Sequence, residues 1–142
     1  MPDFTIRTAD WSRDEGRLKS VRYDVFCVEQ GVPEDLEWDG LDSGCVHAIA
    51  EDVARRAIGC GRLLPDGHVG RMAVRADWRG RGVGGALLAH LVGLARARGD
   101  AKAMLNAQAQ AIPFYERFGF VAVGEPFEEA GIPHVAMERA LR

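Results

Sequence analysis

The spacing of apolar residues changes several times along the chain, and each change marks an element. Phe4 to Thr8 alternate polar and apolar, which predicts a first strand. From Trp11 to Gln30 the spacing turns helical, with Leu18, Val21, Val25, Phe26 and Val28 recurring on one side, and Gly31-Val32-Pro33 ends the run. An acid-rich loop or short helix is expected through Gly44. The segments CVHAIAEDV and AIGCGRLL then read as two strands joined by a turn at Ala54 to Arg56. Pro65-Asp66-Gly67 is turn chemistry, so Val69 to Val74 is the next hairpin strand.

The second half opens on a helix from about Gly82 to Arg98. Val83, Leu87, Leu91 and Leu94 form its apolar stripe, and Gly99-Asp100 stops it. AKAMLNAQ predicts a short strand and IPFYERF a short helix, with Pro113 near its first turn. GFVAVGEPF and HVAMERAL read as strands around a turn at Gly131-Ile132-Pro133. There is no internal repeat, linker or low-complexity tract. Mixed elements with hairpin-like pairing predict one α+β domain over residues 1–142, with helices on both faces of a mostly antiparallel sheet.

Composition narrows the class. The 142 residues suit one sizeable core, and 47% hydrophobic content, 27% charged content and a net charge of -3 describe a soluble globular chain. No apolar run approaches the length of a membrane span, and the first residues lack a signal-type pattern, so a cytoplasmic location and no membrane partner are expected. Three cysteines without a CxxC pair argue against a disulfide framework or a zinc site, and no metal is expected. A net acidic chain without a basic patch interleaved with aromatics is a poor nucleic-acid binder.

The net charge hides an asymmetry. No Lys or Arg lies between Arg22 and Arg55, a span that carries Asp24, Glu29, Glu34, Asp35, Glu37, Asp39, Asp42, Glu51 and Asp52. Arg71 to Arg98 holds Arg71, Arg75, Arg79, Arg81, Arg96 and Arg98 against the single acid Asp77. One region would favour a cation and the other an anion, unless both are ordinary solvated faces.

The segment RGRGVGG sits where a strand hands over to a helix. The first turn of a helix leaves backbone N–H groups unpaired and partly positive. Gly80, Gly82, Gly84 and Gly85 remove side chains there, while Arg79 and Arg81 add charge, so the segment describes a backbone anion site of the pyrophosphate-cradling kind. Tight strand-to-helix packing is the competing reason for the same glycines. A Walker loop is excluded, because Gly84-Gly85-Ala86 has neither Lys nor hydroxyl. The loose GxGxxG spacing lacks the acid at the end of a following strand that a dinucleotide fold wants.

These residues resemble a known family. Arg79-x-x-Gly82-x-Gly84 after RMAV resembles the acetyl-CoA signature of the GNAT superfamily of N-acetyltransferases. NAQAQAIPFYERFGF resembles that family's following strand and helix. FEEAGIPHVAM and VFCVEQGVPEDLEWDGLD are similar to its ElaA-like, or YjcF-like, branch. The resemblance runs from the first helix to the C-terminus. It implies a sheet splayed between its fourth and fifth strands, Val69–Val74 and Ala101–Gln108, on a fold where homodimers are common. It implies acetyl-CoA as co-substrate, with pantetheine along Met72, Ala73 and Val74 and pyrophosphate on N–H groups from Arg81 through Val83 to Gly85. It implies an acetyl transfer from the thioester to a primary amine by direct attack. A non-catalytic acyl-CoA sensor is the alternative that keeps the glycines and needs no acid.

Such a transfer needs a neutral amine, and a lysine-type amine is mostly charged near neutral pH, so its proton needs an acceptor. Tyr115 matches the family's tyrosine that points at the CoA sulfur, which makes it the candidate general acid. Asn106 matches a polar residue near the end of the fifth strand that bonds the cofactor arm or a water. The base is open among His134, Glu29, Glu37 and His47. The acidic span Asp24 to Asp52 is expected to form a negative lip that draws the amine.

Overall fold

A computed structural model of the protein describes residues 3–142. The N-terminal half forms β1 (Phe4–Ala9), α1 (Trp11–Arg22), a π-helical turn (Tyr23–Glu29), α2 (Glu34–Glu37), β2 (Val46–Asp52), β3 (Ala57–Leu63) and β4 (Val69–Val74). The rest forms α3 (Val83–Ala97), β5 (Lys102–Gln108), α4 (Ile112–Arg117), β6 (Val121–Ala122), β7 (Phe127–Glu129) and β8 (Ile132–Ala140). Just after β1 comes Asp10, whose carboxylate accepts from the Ser12 N–H and caps α1.

The strands pair antiparallel in two groups, β1-β2-β3-β4 and β5-β8-β6, with β7 also on β8. Between the groups, β4 and β5 touch only at their start. There His68 bridges Met104, and the Met104 N–H donates to Gly67 O at 3.0 Å. Beyond that point the two strands part.

Each face of the sheet carries one long helix. On one face α3 presents Leu87, Leu88 and Leu91, all fully buried, to Ile58, Leu63, Leu105, Phe120 and Met137. On the other, Leu18, Val21 and Val25 pack against Ile49, Cys60 and Ala73. Burying one such leucine contributes roughly 1.5–3 kcal/mol, so these two clusters hold the layers together.

Two elements differ from the sequence reading. The helix expected over residues 11–30 widens after Arg22 into a π-helical turn, which buries the adjacent Val25 and Phe26 together. The last hairpin turns at Ala130 and Gly131, with φ of 53° and 76°, while Ile132 and Pro133 already pair with Glu129 and Glu128. Left-handed backbone at both central residues matches the twist of the flanking strands, and this draws Ile132 and Pro133 into β8.

Candidate functional site

The parting of β4 from β5 leaves a cleft of about 1150 Å³. A bulge in β4 shapes one wall. The β3–β4 register jumps from Cys60↔Ala73 to Arg62↔Gly70, and Arg71 takes a φ of 49°. An extra residue of this kind bends a strand and breaks its ladder. Opposite the bulge, a Cβ on Gly61 would stand 2.5 Å from Met72 Sδ and 2.8 Å from Leu91 Cδ1, so a larger residue there would have to displace both side chains. Met72, Ala73 and Val74 all line the cleft, on an edge of β4 that has no strand partner.

The glycine-rich turn forms the end of the cleft at the start of α3. Gly80 and Gly82 have φ of 75° and 87°, with open space where a side chain would stand. Gly82 is the N-cap of α3 and offers no side-chain cap. Among the described residues, no group accepts a hydrogen bond from the backbone N–H of Gly80, Arg81, Gly82, Val83, Gly84 or Gly85. Those from Gly82 to Gly85 are the unpaired donors of a helix start and carry its partial positive charge, and those of Gly80 and Arg81 lie in the turn just before it. A cradle of bare amides fits a diphosphate, so the residues present suit the co-substrate that the resemblance implies.

The other two glycines do different work. A Cβ on Gly85 would come 2.7 Å from Phe118 Cζ, and one on Gly84 would make ordinary contact with Phe114 at 3.5 Å. Gly85 lets α3 pack closely on Phe118, the residue that caps α4. The arginines also depart from expectation. Arg81 does not line the cleft: its guanidinium stacks 3.8 Å over the Trp78 ring and meets Asp3 at 3.2 Å. Arg79 lines the cleft, but Glu29 holds it at 2.8 Å and its Nε donates to Val74 O. The charge of both side chains is already engaged, so what this turn offers an anion is backbone.

Across the cleft, α4 brings Tyr115 to the wall beside Phe114 and Phe120, in edge-on contacts of 5.1 and 6.1 Å. Burial alone pushes its phenol up to about 12, so it stays protonated at any physiological pH. Asn106 is exposed on β5, lines the cleft and stands opposite Ala136 of β8.

The base candidates separate. His47 does not line the cleft. It stacks on Trp11 at 4.6 Å and donates from Nε2 to Asp42 O at 2.8 Å, and burial lowers its pKa. It is a structural histidine. Glu37 lines the cleft but is buried, 2.8 Å from Arg22 Nε and 3.1 Å from Arg71 Nε. Glu29 is bound to Arg79. His134 lines the cleft from β8, opposite Gln108, and stacks on Phe127. Its Nδ1 donates to Ile132 O at 2.6 Å, and its Nε2 lies 3.6 Å from the Glu129 carboxylate.

Six of the nine acids in the acidic span are paired with arginine, while Glu34 and Asp35 stand exposed without a Lys or Arg partner among the described residues. Asp24 pairs with Arg75, Glu29 with Arg79, Glu37 with Arg22 and Arg71, Asp39 with Arg62 and Arg71, Asp42 with Arg22 and Arg62, and Glu51 with Arg7 and Arg17. Folding brings Arg71, Arg75 and Arg79 of the basic stretch onto Glu37, Asp39, Asp24 and Glu29 of the acidic one, so the two asymmetries offset in part. Arg62 and Arg71 hold the Asp39 carboxyl well below the usual range. Sequence reasoning missed Arg62 and Arg71 in the cleft wall. It also missed the reciprocal amide pair of Gln30 and Gln108, at 3.0 and 3.2 Å, which joins the end of the π-helical turn to β5. No periodicity signals such contacts, because the partners are remote in sequence.

Comparison with known proteins adds an independent line. Residues 13–141 match the Acetyltransferase (GNAT) domain family. The chain is 37% identical over 133 residues to the uncharacterized N-acetyltransferase YjcF of Bacillus subtilis, covering 89% of this chain and 94% of that one. It superposes on the crystal structure of an acyl-CoA N-acyltransferase from Pseudomonas aeruginosa with a TM-score of 0.83 and 32% identity, over 97% and 99% of the two chains. Against the crystal structure of Escherichia coli ElaA the TM-score is 0.84 at 28% identity, over 96% and 99%.

Proposed function

Because the chain belongs to the GNAT acetyltransferase family and is an acetyltransferase, we propose that it moves the acetyl group of acetyl-CoA onto a primary amine by direct attack within the β4–β5 cleft. The observation that carries this reading is the row of unpartnered amides from Gly80 to Gly85 at the end of a cleft whose β4 edge is free. Acetyl-CoA supplies an acetyl group already activated as a thioester.

The chain's own residues supply placement and proton transfer. The amides from Arg81 to Gly85 bind the diphosphate, with help from the α3 dipole. The free edge of Met72, Ala73 and Val74 pairs with the amide-bearing arm, as an added strand would. Asn106 offers a further polar contact from the opposite wall. Together these hold the reacting carbon still, which removes much of the orientational cost of the reaction.

His134 takes the amine's proton at Nε2, because its Nδ1–H is committed to Ile132 O. Glu29 is the weaker choice, since its carboxylate is engaged by Arg79. Tyr115 donates its phenolic proton to the departing sulfur. A thiolate with a pKa of about 8.5 is already a fair leaving group, so this donation gives a modest gain, near the low end of ~10²–10⁴. The three cysteines are free thiols, which supports a reducing compartment such as the cytoplasm.

The test is CoA-thiol release with acetyl-CoA and a panel of primary amines. Turnover with at least one amine, reduced in Tyr115→Phe while CoA binding persists, is the expected result. CoA binding without turnover on any amine overturns the catalytic reading.

A further inference from the structure

The cleft carries four carboxylates: Glu29, Glu37, Asp39 and Glu129. Arginine engages the first three, at 2.8 Å for Glu29, 2.8 and 3.1 Å for Glu37, and 2.5 and 3.2 Å for Asp39. Among the described residues, no Lys or Arg lies within ion-pair distance of Glu129; its one basic neighbour is His134 Nε2 at 3.6 Å. The Glu129 side chain is half exposed, so it can still receive a cation.

The backbone holds this pair in place. Glu129 ends β7 and faces Ile132 across the two-residue turn, and Phe127, two residues further along, faces His134. His134 also stands opposite Gln108, whose amide is bonded to Gln30. Around Gln30 the chain also gives the cleft apolar lining, from Phe26, Val32 and Leu36, and Ile132 adds to it from the last hairpin. Leu36 is left 53% exposed there.

We propose that Glu129 binds the ammonium of the acceptor beside His134, and that the acceptor is a primary amine with an apolar body lying along Phe26, Val32, Leu36 and Ile132. This rests on the transferase reading above. On binding, the ammonium hydrogen-bonds the Glu129 carboxylate. One N–H then transfers its proton to His134 Nε2, and the electron pair left on nitrogen becomes the nucleophile. Glu129 is thereby a specificity-determining residue, selecting charge at one end of the acceptor while the apolar lining selects the other.

The test is calorimetry on the full chain saturated with CoA, which carries no acetyl group and permits no turnover. The probes are 2-phenylethylamine and its uncharged analogue 2-phenylethanol. Glu129→Gln is expected to weaken the amine about fivefold, the upper end for a part-exposed ion pair, and to leave the alcohol unchanged. Glu129→Asp should recover part of the amine affinity. A structural disturbance of the hairpin would weaken both probes. Equal amine affinity in wild type and Glu129→Gln, or no amine binding at all, overturns the inference even where thiol release with another amine upholds the transferase reading. CoA binding with no release for any amine overturns the transferase reading instead.

Discussion

Replacing Gly85 by alanine separates the two reasons a glycine can stand at the start of α3. The added Cβ would lie 2.7 Å from Phe118 Cζ, with two more ring atoms at 3.5 Å, and the close contact must open to at least 3.4 Å. Overpacking of this kind costs ~1–3 kcal/mol. Alanine returns at most ~1 kcal/mol of helix propensity. Gly93 is the internal control, because it lies in the same helix with nothing within 4 Å of a Cβ. Gly93→Ala should therefore stabilise by ~0.5–1 kcal/mol and Gly85→Ala should not, so the pair differ by ~1–3 kcal/mol. In a chain of this size that separates their midpoints by roughly 2–10 °C in thermal unfolding. A functional effect goes with it. Phe118 touches Phe114 at 5.1 Å at the end of the short helix that carries Tyr115. Displacing it should lower kcat about tenfold, since small misplacements of reacting groups are expensive. If Gly85→Ala stabilises as much as Gly93→Ala, the packing argument is wrong and Gly85 faces open cleft.

Other expectations follow from the same geometry. Tyr115→Phe should reduce kcat ~10–100-fold with little change in CoA affinity, and because the phenol is pushed up to about 12 the wild-type rate should show no alkaline fall from this group below pH ~10; a Tyr115-dependent limb near neutrality in the pH–rate profile argues against it. Arg22→Met should destabilise by ~1–3 kcal/mol in urea unfolding, since the buried Glu37 and Asp42 each lose one of their two arginine partners and keep Arg71 and Arg62; a loss under 1 kcal/mol would mean the remaining arginines compensate. Asp14, held down to about 2 chiefly by its hydrogen bonds with Arg7, has a folded pKa below its unfolded value. Its stabilisation is therefore present above pH ~4 and fades as pH falls towards 2. Asp14→Asn should cost ~1 kcal/mol at pH 7 and flatten the stability curve in that window, as urea titrations at several pH values would show.

Much of the fold can be read from local pattern. The stripe of Val83, Leu87 and Leu91 and the stop at Gly99 define α3, which spans Val83–Ala97. The hairpin strands carry their own turn chemistry, and the glycine-rich turn is visible because left-handed backbone at Gly80 and Gly82 requires that residue type. The split of the sheet came from family likeness, since no residue in Val69–Val74 states which neighbour is missing. What stayed hidden depends on remote partners. The π-helical turn keeps Val21, Val25 and Phe26 at spacings an α-helix also allows. The acidic and basic stretches look like two opposed surfaces until Arg71, Arg75 and Arg79 meet Glu37, Asp39, Asp24 and Glu29 across tens of residues. Glu129 gained meaning only once every other carboxylate in the cleft had an arginine.

The account stands or falls on what the amides at the start of α3 do when CoA arrives. A ¹H–¹⁵N correlation spectrum of the full chain, titrated with CoA, reads them one by one. Large, saturable shifts confined to Arg81–Gly85 and the β4 edge at Met72–Val74 are predicted, with the Arg81–Gly85 shifts reproduced in part by inorganic pyrophosphate. If CoA binds while the Arg81–Gly85 amides stay where they were, the backbone cradle is not the anion site.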